Sequence, residues 1–430
     1  MGQLKVLVVG AGIAGNALAF WLSKLGHAVT IIERHHCLRT NGLQLDLRGN
    51  GIEVMRRMGL EQAVRAKCVP EDGMELVDSS GRRRAFFAAN KSGKGAQSVS
   101  SEFEIMRKDL CVILHDAAEK FGAKYVFGTT VESFQWTGNS VEASFADGKK
   151  EIFDLMVGCD GQGSRIRRLM LGDGSAGQAQ DPIVTLGERI AYYTIPRPAK
   201  QEGAYIATTY LMPEKRFVIT RRHNLQEMQV YLRCEAHSGP MEGVKRGDVK
   251  AEKEAFAKMF ESSGWETDDL VKALKEGGED FYCQYSSLVR MDSWSRGCVT
   301  LVGDAGYCCP PDGFGTSVAL IGAYILAGEI QRCCPAKGES GGNDADNGVQ
   351  AALQGYEQRF QPYMKRIQAK YSTEPSSFDK IPWTPLTVGI FYRLAGIVSF
   401  LKLDRIASRL MPLENTHGWK LPEYPQMIKG

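Results

Sequence analysis

The chain has 430 residues, of which 43% are hydrophobic and 24% are charged, and its formal net charge at pH 7 is +3. These fractions are ordinary for a globular protein, and the length suggests about two to three domains. A net charge this small gives no argument for a nucleic-acid partner or an anionic membrane as ligand. We find no stretch long and apolar enough to predict a membrane span.

The eleven cysteines include no C-x-x-C pattern, and two pairs, Cys308-Cys309 and Cys333-Cys334, are adjacent in the chain. An odd count, placed mostly in predicted core elements, indicates free thiols in a reducing compartment. No signal peptide precedes the first predicted strand, so we expect a cytoplasmic protein. Neither the cysteines nor the seven histidines have the spacing of metal ligands, which predicts no metal site.

The first chemical signal is the glycine-rich segment Gly10–Gly15. A short apolar strand, Leu4–Val9, precedes it, and a helical pattern from residue 14 ends at Gly26. A second strand follows over His27–Ile32. Strand, glycines, helix and strand in this order predict a dinucleotide-binding unit, with phosphates at the N-terminus of the helix.

Each glycine of this segment has a predicted role. Gly10 permits the tight turn, Gly12 lets the backbone approach a pyrophosphate, and Gly15 lets the helix pack on the strand. Glu33 lies about 20 residues further on, where a carboxylate binds a ribose diol and repels a 2′-phosphate. The segment therefore favours FAD or NAD over NADP.

Two further glycine-bearing segments also follow predicted strands. The first is Asp160–Arg167, and the second runs from Gly303 through Asp304 to Gly315. An aspartate in the position of Asp304 is well placed to accept hydrogen bonds from hydroxyl groups. The order and separation of all three segments point to one dinucleotide that contacts the chain from end to end.

The pattern of elements predicts an α/β protein with a Rossmann-like cofactor domain, an interleaved and mostly antiparallel β-sheet domain, and C-terminal helices. The predicted cofactor domain comprises residues 1–72, 101–182 and 286–348. The predicted substrate domain comprises residues 73–100 and 183–285. Residues 349–430 form the helical region, in which Leu386–Leu410 is amphipathic and is expected to be buried against both domains.

Taken together, the three segments resemble the flavin-dependent monooxygenases of the para-hydroxybenzoate hydroxylase fold. The resemblance covers nearly the whole chain and is greatest to tetracycline-modifying and polyketide-tailoring enzymes. It implies FAD as cofactor, and it places Arg107 and Arg48 near the cofactor and Arg34 beside the ribose carboxylate. The candidate cofactor-binding residues are Gly10, Gly12, Ala14, Gly15, Glu33, Arg34, Arg48, Arg107, Asp160, Asp304, Pro311, Gly313, Gly315, Thr316 and Ser317.

The resemblance also implies a reaction. NADPH or NADH reduces the flavin, O2 adds to it, and the C4a-hydroperoxyflavin inserts one oxygen atom into an aromatic or polycyclic polyketide-like molecule of secondary metabolism. The single nucleotide fingerprint fits transient nicotinamide binding at a shared cleft. Epoxidation and Baeyer–Villiger oxidation are alternatives within the same fold, and a flavin oxidase or dehydrogenase is another. A monomer and a dimer both fit the sequence.

Two residues depart from the pattern of many family members: Tyr307 replaces a histidine and Gly322 an aspartate. For the substrate pocket, strand alternation places Arg189, Ala191 and Tyr193 on one face, which we expect to line the cleft. Arg222 shares a face of another strand with Arg216. The candidate catalytic residues are Arg189, Tyr193 and Arg222, because an arginine or phenol there could bind a phenolate or enolate.

Overall fold

The fold is that of a computed structural model, which describes residues 2–39, 42–90, 103–172, 181–199, 205–278, 280–310, 313–336, 348–371, 382–403 and 419–428. The helices in this part of the chain are α1 (Ile13–Lys24), α2 (Asn50–Arg57), α3 (Glu61–Arg65), α4 (Arg107–Lys120), α5 (Arg165–Leu171), α6 (Val249–Phe260), α7 (Thr267–Glu276), α8 (Asp304–Tyr307), α9 (Gly315–Cys333), α10 (Gly348–Gln368), α11 (Pro385–Phe400) and α12 (Pro425–Ile428).

A six-stranded sheet carries the three glycine-bearing segments. Its strands are β1 (Lys5–Val9), β2 (Ala28–Glu33), β7 (Lys124–Phe127), β11 (Leu155–Gly158), β17 (Ser295–Arg296) and β18 (Val299–Leu301). Their order is β17-β18-β11-β1-β2-β7, and all neighbours are parallel except β17 with β18. The carboxyl ends of β1, β11 and β18 therefore meet at one edge, where ligands bind in sheets of this kind.

A seven-stranded, mostly antiparallel sheet forms the second layer. Its strands are β4 (Gly73–Val77), β5 (Arg83–Ala88), β12 (Ile183–Pro196), β13 (Ile206–Leu211), β14 (Phe217–Arg221), β15 (Glu227–Glu235) and β16 (Tyr282–Val289), in the order β16-β12-β15-β14-β13-β4-β5. Helices α6 and α7 cover one face, where Phe256, Phe260 and Leu270 pack on the apolar side chains of the central strands.

Smaller elements complete the structure. A three-stranded antiparallel sheet is formed by β8 (Val131–Thr137), β9 (Ser140–Phe145) and β10 (Lys150–Phe153). A two-stranded ribbon is formed by β3 (Gln44–Asp46) and β6 (Glu104–Met106). Helices α1 and α9 are apolar on nearly every side and buried, as expected of helices enclosed by other elements. The α/β fold class, with its Rossmann-like unit, antiparallel sheet and C-terminal helices, is confirmed.

One expectation about the C-terminal region is wrong. Helix α11 buries only Val388, Tyr392 and Ala395, which pack on Leu76 and Ala85 of the seven-stranded sheet. The opposite side of α11 is exposed, so the helix is not enclosed between the two domains. Within the described residues, no helix combines the length and apolar character that crossing a membrane requires. All eleven cysteines are free, and most are buried.

Candidate active site

A cleft of about 810 Å³ opens at the carboxyl edge of the six-stranded sheet. Its walls come from the start of the first glycine segment, the end of β2 and the loop after β11, and they include Gly10, Gly12, Glu33, Arg107 and Asp160. In the described residues, no side chain caps the N-terminus of α1, which begins after Gly12. The free N–H groups of that first turn therefore suit a phosphate group.

Close packing explains two of these glycines. Gly10 has a φ of +106°, and a Cβ atom on Gly15 would lie 1.9 Å from the carbonyl oxygen of Gly10. Any side chain at position 15 would force α1 away from β1. Ala14 packs in turn on Gly303, where an added Cβ would lie 2.9 Å from the Cβ of Ala14. The first and third segments are therefore in direct contact.

Charged side chains surround the entrance of the cleft. Oε2 of Glu33 accepts a hydrogen bond from the amide of Ala11 at 3.0 Å, which holds the carboxylate against the glycine turn. Arg34, Arg39 and Arg107 also line the cleft. Partial desolvation lowers the pKa of Arg39, and the neighbouring charges of Arg107 and Arg34 lower it further. Three cations gathered in this way favour a multiply charged anion such as a diphosphate.

The second segment is held by its own side chains. The Asp160 carboxylate accepts hydrogen bonds from the Ser164 hydroxyl at 2.5 Å and from the Arg165 amide at 2.7 Å. Asp160 therefore fixes the turn that lines the cleft. Arg167, whose side chain is fully buried, donates to the carbonyl oxygen of Ala305 at 2.7 Å and pairs with Asp181 at 2.8 Å. This arginine joins the second segment to the third.

Asp304 begins α8 directly after β18. Its side chain is exposed to solvent, although the surrounding protein atoms partly desolvate it. This desolvation raises the pKa of Asp304, and the positive charge of Arg107 offsets part of the effect. A carboxylate in this position can accept hydrogen bonds from the hydroxyl groups of a sugar chain.

The third segment continues to the N-terminus of α9. The Ser317 hydroxyl accepts a hydrogen bond from the Arg48 amide at 2.9 Å, and Arg48 pairs with Asp46 at 2.9 Å. Nε of Arg48 is buried and has no hydrogen-bond partner among the described residues. Gly313 lies against the side chains of Asp46 and Arg48, and Gly315 and Thr316 begin α9, while Pro311 lies outside the described residues.

The predicted orientation of the substrate-domain residues is wrong. Arg189 and Tyr193 point to the face covered by α6 and α7: the Tyr193 hydroxyl donates to the carbonyl oxygen of Leu270 at 3.0 Å, and Arg189 donates to that of Val244 at 3.0 Å. Arg222 donates to the backbone carbonyls of Arg197 and Glu227. All three side chains are held by contacts within the protein. Alternation along a strand defines two faces of the sheet, but the position of α6 and α7 determines which face is covered.

The opposite face carries an aromatic cluster that the sequence did not single out. Tyr192 stacks on Tyr282 with ring centroids 4.8 Å apart and meets Tyr231 edge-on at 5.1 Å. These rings pack with Ile190 on Leu43, whose carbonyl oxygen accepts a hydrogen bond from the amide of Arg107. We call Tyr192, Tyr231 and Tyr282 the tyrosine cluster. Had the covered face been known, strand alternation from Ile190 would have placed Tyr192 on the face opposite α6 and α7.

A buried polar group lies beside the tyrosine cluster. Arg221 forms ion pairs with both Glu71 and Glu104, and the carboxylate of Glu104 also accepts from Gln44 at 3.1 Å. Burial raises the pKa of Glu71, while the charge of Arg221 lowers it in part. Two carboxylates therefore share one guanidinium where the two-stranded ribbon of β3 and β6 meets the seven-stranded sheet.

Comparison with known proteins decides the family. Residues 3–340 match the FAD binding domain family. The chain is 41% identical, over 436 residues and the full length of both chains, to "FAD-dependent monooxygenase asL4" of Sarocladium schorii. The chain belongs to the FAD-dependent monooxygenases.

Two further matches describe the breadth of this similarity. The monooxygenase is 33% identical to "Flavin-dependent monooxygenase eupH" of Phoma sp, with 99% of this chain and 98% of that protein covered. It is also similar to the crystal structure of tetracycline destructase Tet(55), with a TM-score of 0.74, 27% identity, and 99% and 100% of the two chains covered. The resemblance to the para-hydroxybenzoate hydroxylase fold is confirmed.

The geometry of the monooxygenase fits its cofactor. Among the described residues, a Cβ atom on Gly12 would have one neighbour within 4 Å, Nη2 of Arg107 at 3.8 Å, and one on Gly315 would have none. These two glycines therefore leave open space rather than serve packing, as a bound ligand requires. FAD would be held by Glu33 at the adenosine ribose, by the α1 N-terminus and Arg107 at the diphosphate, and by Asp304 at the ribitol.

Proposed function

We propose that this monooxygenase uses NADPH or NADH and O2 to hydroxylate an aromatic or polycyclic, polyketide-like small molecule in secondary metabolism. The bound flavin supplies the redox and oxygen chemistry of the reaction. The chain's own residues bind and orient the substrate and exclude water from the reacting centre.

The observation that carries the proposal is the tyrosine cluster. It lies on the face of the seven-stranded sheet opposite α6 and α7, and it contacts Leu43, next to Arg107. Flat aromatic side chains in stacked and edge-on arrangement offer a planar substrate a large apolar wall. Burial raises the pKa of Tyr231, so its phenol stays protonated at neutral pH. The hydroxyl donates to Oε1 of Gln229 at 3.2 Å, and a keto or enolate oxygen of the substrate would replace that acceptor.

Charge at the same wall supports a substrate with an ionisable oxygen. Arg221 lies on the tyrosine side of the sheet, since it alternates with Val218, which faces the helices. It is paired with two carboxylates, those of Glu71 and Glu104, which exceed its single charge and can accept a proton near the phenol. The similarity to tetracycline destructase Tet(55) supports a polycyclic substrate, because tetracycline is a fused four-ring molecule.

The test is aerobic NADPH and NADH consumption across a panel of phenolic and polycyclic polyketides, with H2O2 and product mass measured. We expect one substrate class to accelerate consumption and to gain one oxygen atom, with little peroxide. Nicotinamide consumption matched throughout by H2O2 would contradict the proposal and favour a flavin oxidase. An epoxide or an ester product, identified by NMR, would replace hydroxylation with epoxidation or Baeyer–Villiger oxidation.

Two variants on one strand test the role of the wall. Tyr192→Ala removes a ring from the tyrosine cluster, and we expect a higher KM for the substrate and a larger share of H2O2. Tyr193→Phe is the matched control, because Tyr193 lies next in sequence but faces the helices. Equal kinetic effects of both substitutions would mean that the cluster does not contact the substrate.

A further inference from the structure

Exposed apolar side chains are concentrated on one helix of this protein. Of the fourteen large hydrophobic residues that are exposed in the described part of the chain, eight lie between Leu386 and Leu403. Phe400 is 85% exposed and Leu386 73%. Single exposed apolar residues are normal on a protein surface, but a contiguous patch marks an interaction site.

Helix α11 presents this patch in a fixed orientation. Its buried stripe is anchored to the seven-stranded sheet: the Tyr392 hydroxyl donates to the carbonyl oxygen of Val77 at 2.7 Å, and the Ser399 hydroxyl donates to that of Phe86 at 2.8 Å. On the opposite side, the spacing i, i+4, i+7 and i+11 from Ile390 places the apolar residues in one row. This outer row consists of Ile390, Leu394, Ile397 and Leu401.

The width of the patch indicates what covers it. A helix pair between two copies of the chain needs only a narrow apolar seam with charges of both signs beside it. Here Phe391 and Phe400 extend the apolar surface on both sides of the outer row. Such an arc spans about half of the helix circumference, which suits immersion in an apolar medium better than contact with one other helix.

The charged residues of the helix segment itself have a single sign, whereas its neighbours also include acidic residues: Glu75 and Asp78, which pair with Arg83 and Arg84, and the exposed Glu214. Residues 382–403 contain no aspartate or glutamate, and their two charged residues, Arg393 and Lys402, are both exposed. The helix also lies on the hairpin that carries the exposed Arg82, because a Cβ atom on Gly396 would lie 3.0 Å from the carbonyl oxygen of Arg84. Cations beside an apolar face complement the phosphates of lipid headgroups.

We propose that the outer face of α11 is a docking surface for a lipid bilayer that contains anionic lipids. The apolar row and the two phenylalanines enter the boundary between headgroups and acyl chains, and Arg393 and Lys402 contact the phosphates. This is peripheral binding by one helix lying in the interface, without a membrane span. It is independent of the oxygen-insertion proposal.

The location gives the surface a role in substrate supply. The buried side of α11 packs on Leu76, which is paired in register with Thr209, then Ile219 and Tyr231 across the same sheet face. The tyrosine cluster and the membrane-facing helix therefore lie along one face. An apolar substrate dissolved in the bilayer would be held at the β4–β5 end of the sheet face that carries the tyrosine cluster.

Vesicle co-sedimentation of the FAD-loaded protein tests the proposal, with phosphatidylcholine vesicles that either contain or lack phosphatidylglycerol. We expect binding that is stronger with phosphatidylglycerol and weaker in high salt. The double variant Leu394→Glu/Ile397→Glu should reduce binding by about tenfold or more, because two carboxylates would have to enter the bilayer. Arg393→Gln/Lys402→Gln should remove the preference for anionic lipid.

Val126→Glu/Ile152→Glu is the matched control, since both residues are about half-exposed on other sheets and the double substitution introduces the same charge. It should leave vesicle binding unchanged. The flavin absorbance and circular dichroism of every variant confirm that it is folded. Absence of wild-type binding to both kinds of vesicle, or equal binding by the Leu394→Glu/Ile397→Glu variant, would overturn the proposal. So would a wild-type dimer that binds no lipid and becomes monomeric in that variant, since the patch would then join two copies.

Discussion

The hydroxyl oxygen of Tyr307 lies 1.9 Å from the position that a Cβ atom on Gly322 would occupy. These are the two positions at which the sequence departs from many relatives, and the structure brings them into contact. The Tyr307 ring is fully buried against Phe360 and Trp294, and its hydroxyl accepts from that of Tyr356 at 3.2 Å. The larger residue at one position therefore requires the smallest residue at the other.

Gly322→Ala should consequently lower the free energy of unfolding by about 1–3 kcal/mol, because the methyl group must displace a packed tyrosine. Adding Tyr307→His should restore part of the loss, with a coupling of about 0.5–3 kcal/mol in a double-mutant cycle measured by urea unfolding. Gly389→Ala is the control, since Gly389 is helical, exposed and has open space around it. Additive effects of the two substitutions would mean that the contact carries no energy.

Gly12 and Gly15 should fail in different ways when changed to alanine. Gly15→Ala places its Cβ atom on the carbonyl oxygen of Gly10, so we expect a lower melting temperature of the apoprotein and loss of FAD. Gly12→Ala points into open space, so the apoprotein should stay as stable as the wild type while FAD affinity falls. Differential scanning fluorimetry measures the stability of each apoprotein, and flavin fluorescence titration measures its affinity for FAD. Equal destabilisation by both would contradict the assignment of Gly12 to the cofactor.

Arg167 should be among the most sensitive positions in the chain. Arg167→Met leaves Asp181 and the carbonyl oxygen of Ala305 without their donor, which costs about 3–5 kcal/mol for a buried ion pair. The loss should appear in chemical unfolding, together with weaker FAD binding. Arg168→Met, at the next and half-exposed position, should change stability by less than about 0.5 kcal/mol. A stable, FAD-saturated Arg167→Met protein would refute the bridging role.

His27 should make the protein sensitive to mild acid. Burial lowers its pKa to about 4, whereas the unfolded chain has an ordinary value of about 6.5. The neutral ring is thus favoured on folding, and its contribution is complete above pH 6.5 and lost as the pH falls towards 4. The free energy of unfolding should fall by on the order of 3 kcal/mol over this range. His27→Gln, which keeps an acceptor for the amide of Leu4, should flatten this part of the stability curve.

The measurement is urea unfolding of the apoprotein at several pH values between 4 and 7. His237→Gln is the control, because His237 is exposed. A wild-type curve as flat as that of His27→Gln would show that the ring is protonated in the folded state.

The cofactor side of the molecule was predictable because its signals are local. The spacing of Gly10, Gly12 and Gly15 encodes a strand, a turn and a helix within one stretch of sequence, and this arrangement fits few ligands. The contact between Tyr307 and Gly322 was visible only as two separate departures. Their relation depends on which sides of α8 and α9 meet, and that is decided by tertiary packing.

The substrate side was not predictable for a related reason. Alternation along β12 separates Arg189 and Tyr193 from Tyr192, but the pattern is symmetric between the two faces. Helices α6 and α7 break the symmetry, and they come later in the chain. Arg189 was misleading because an arginine in a predicted pocket suggests that it binds a ligand. Here the carbon of its guanidinium lies 4.7 Å from the ring centroid of Tyr285, beneath those helices.

The bridge from Arg167 to Ala305 also has a consequence for biosynthesis. The partners are separated by more than a hundred residues, and the six-stranded sheet receives β18 only after the whole second sheet has been made. A ribosome that has released the first glycine segment has therefore released only part of a cofactor site. Flavin capture must wait until late in translation, and amino-terminal fragments that contain the complete nucleotide fingerprint should emerge colourless.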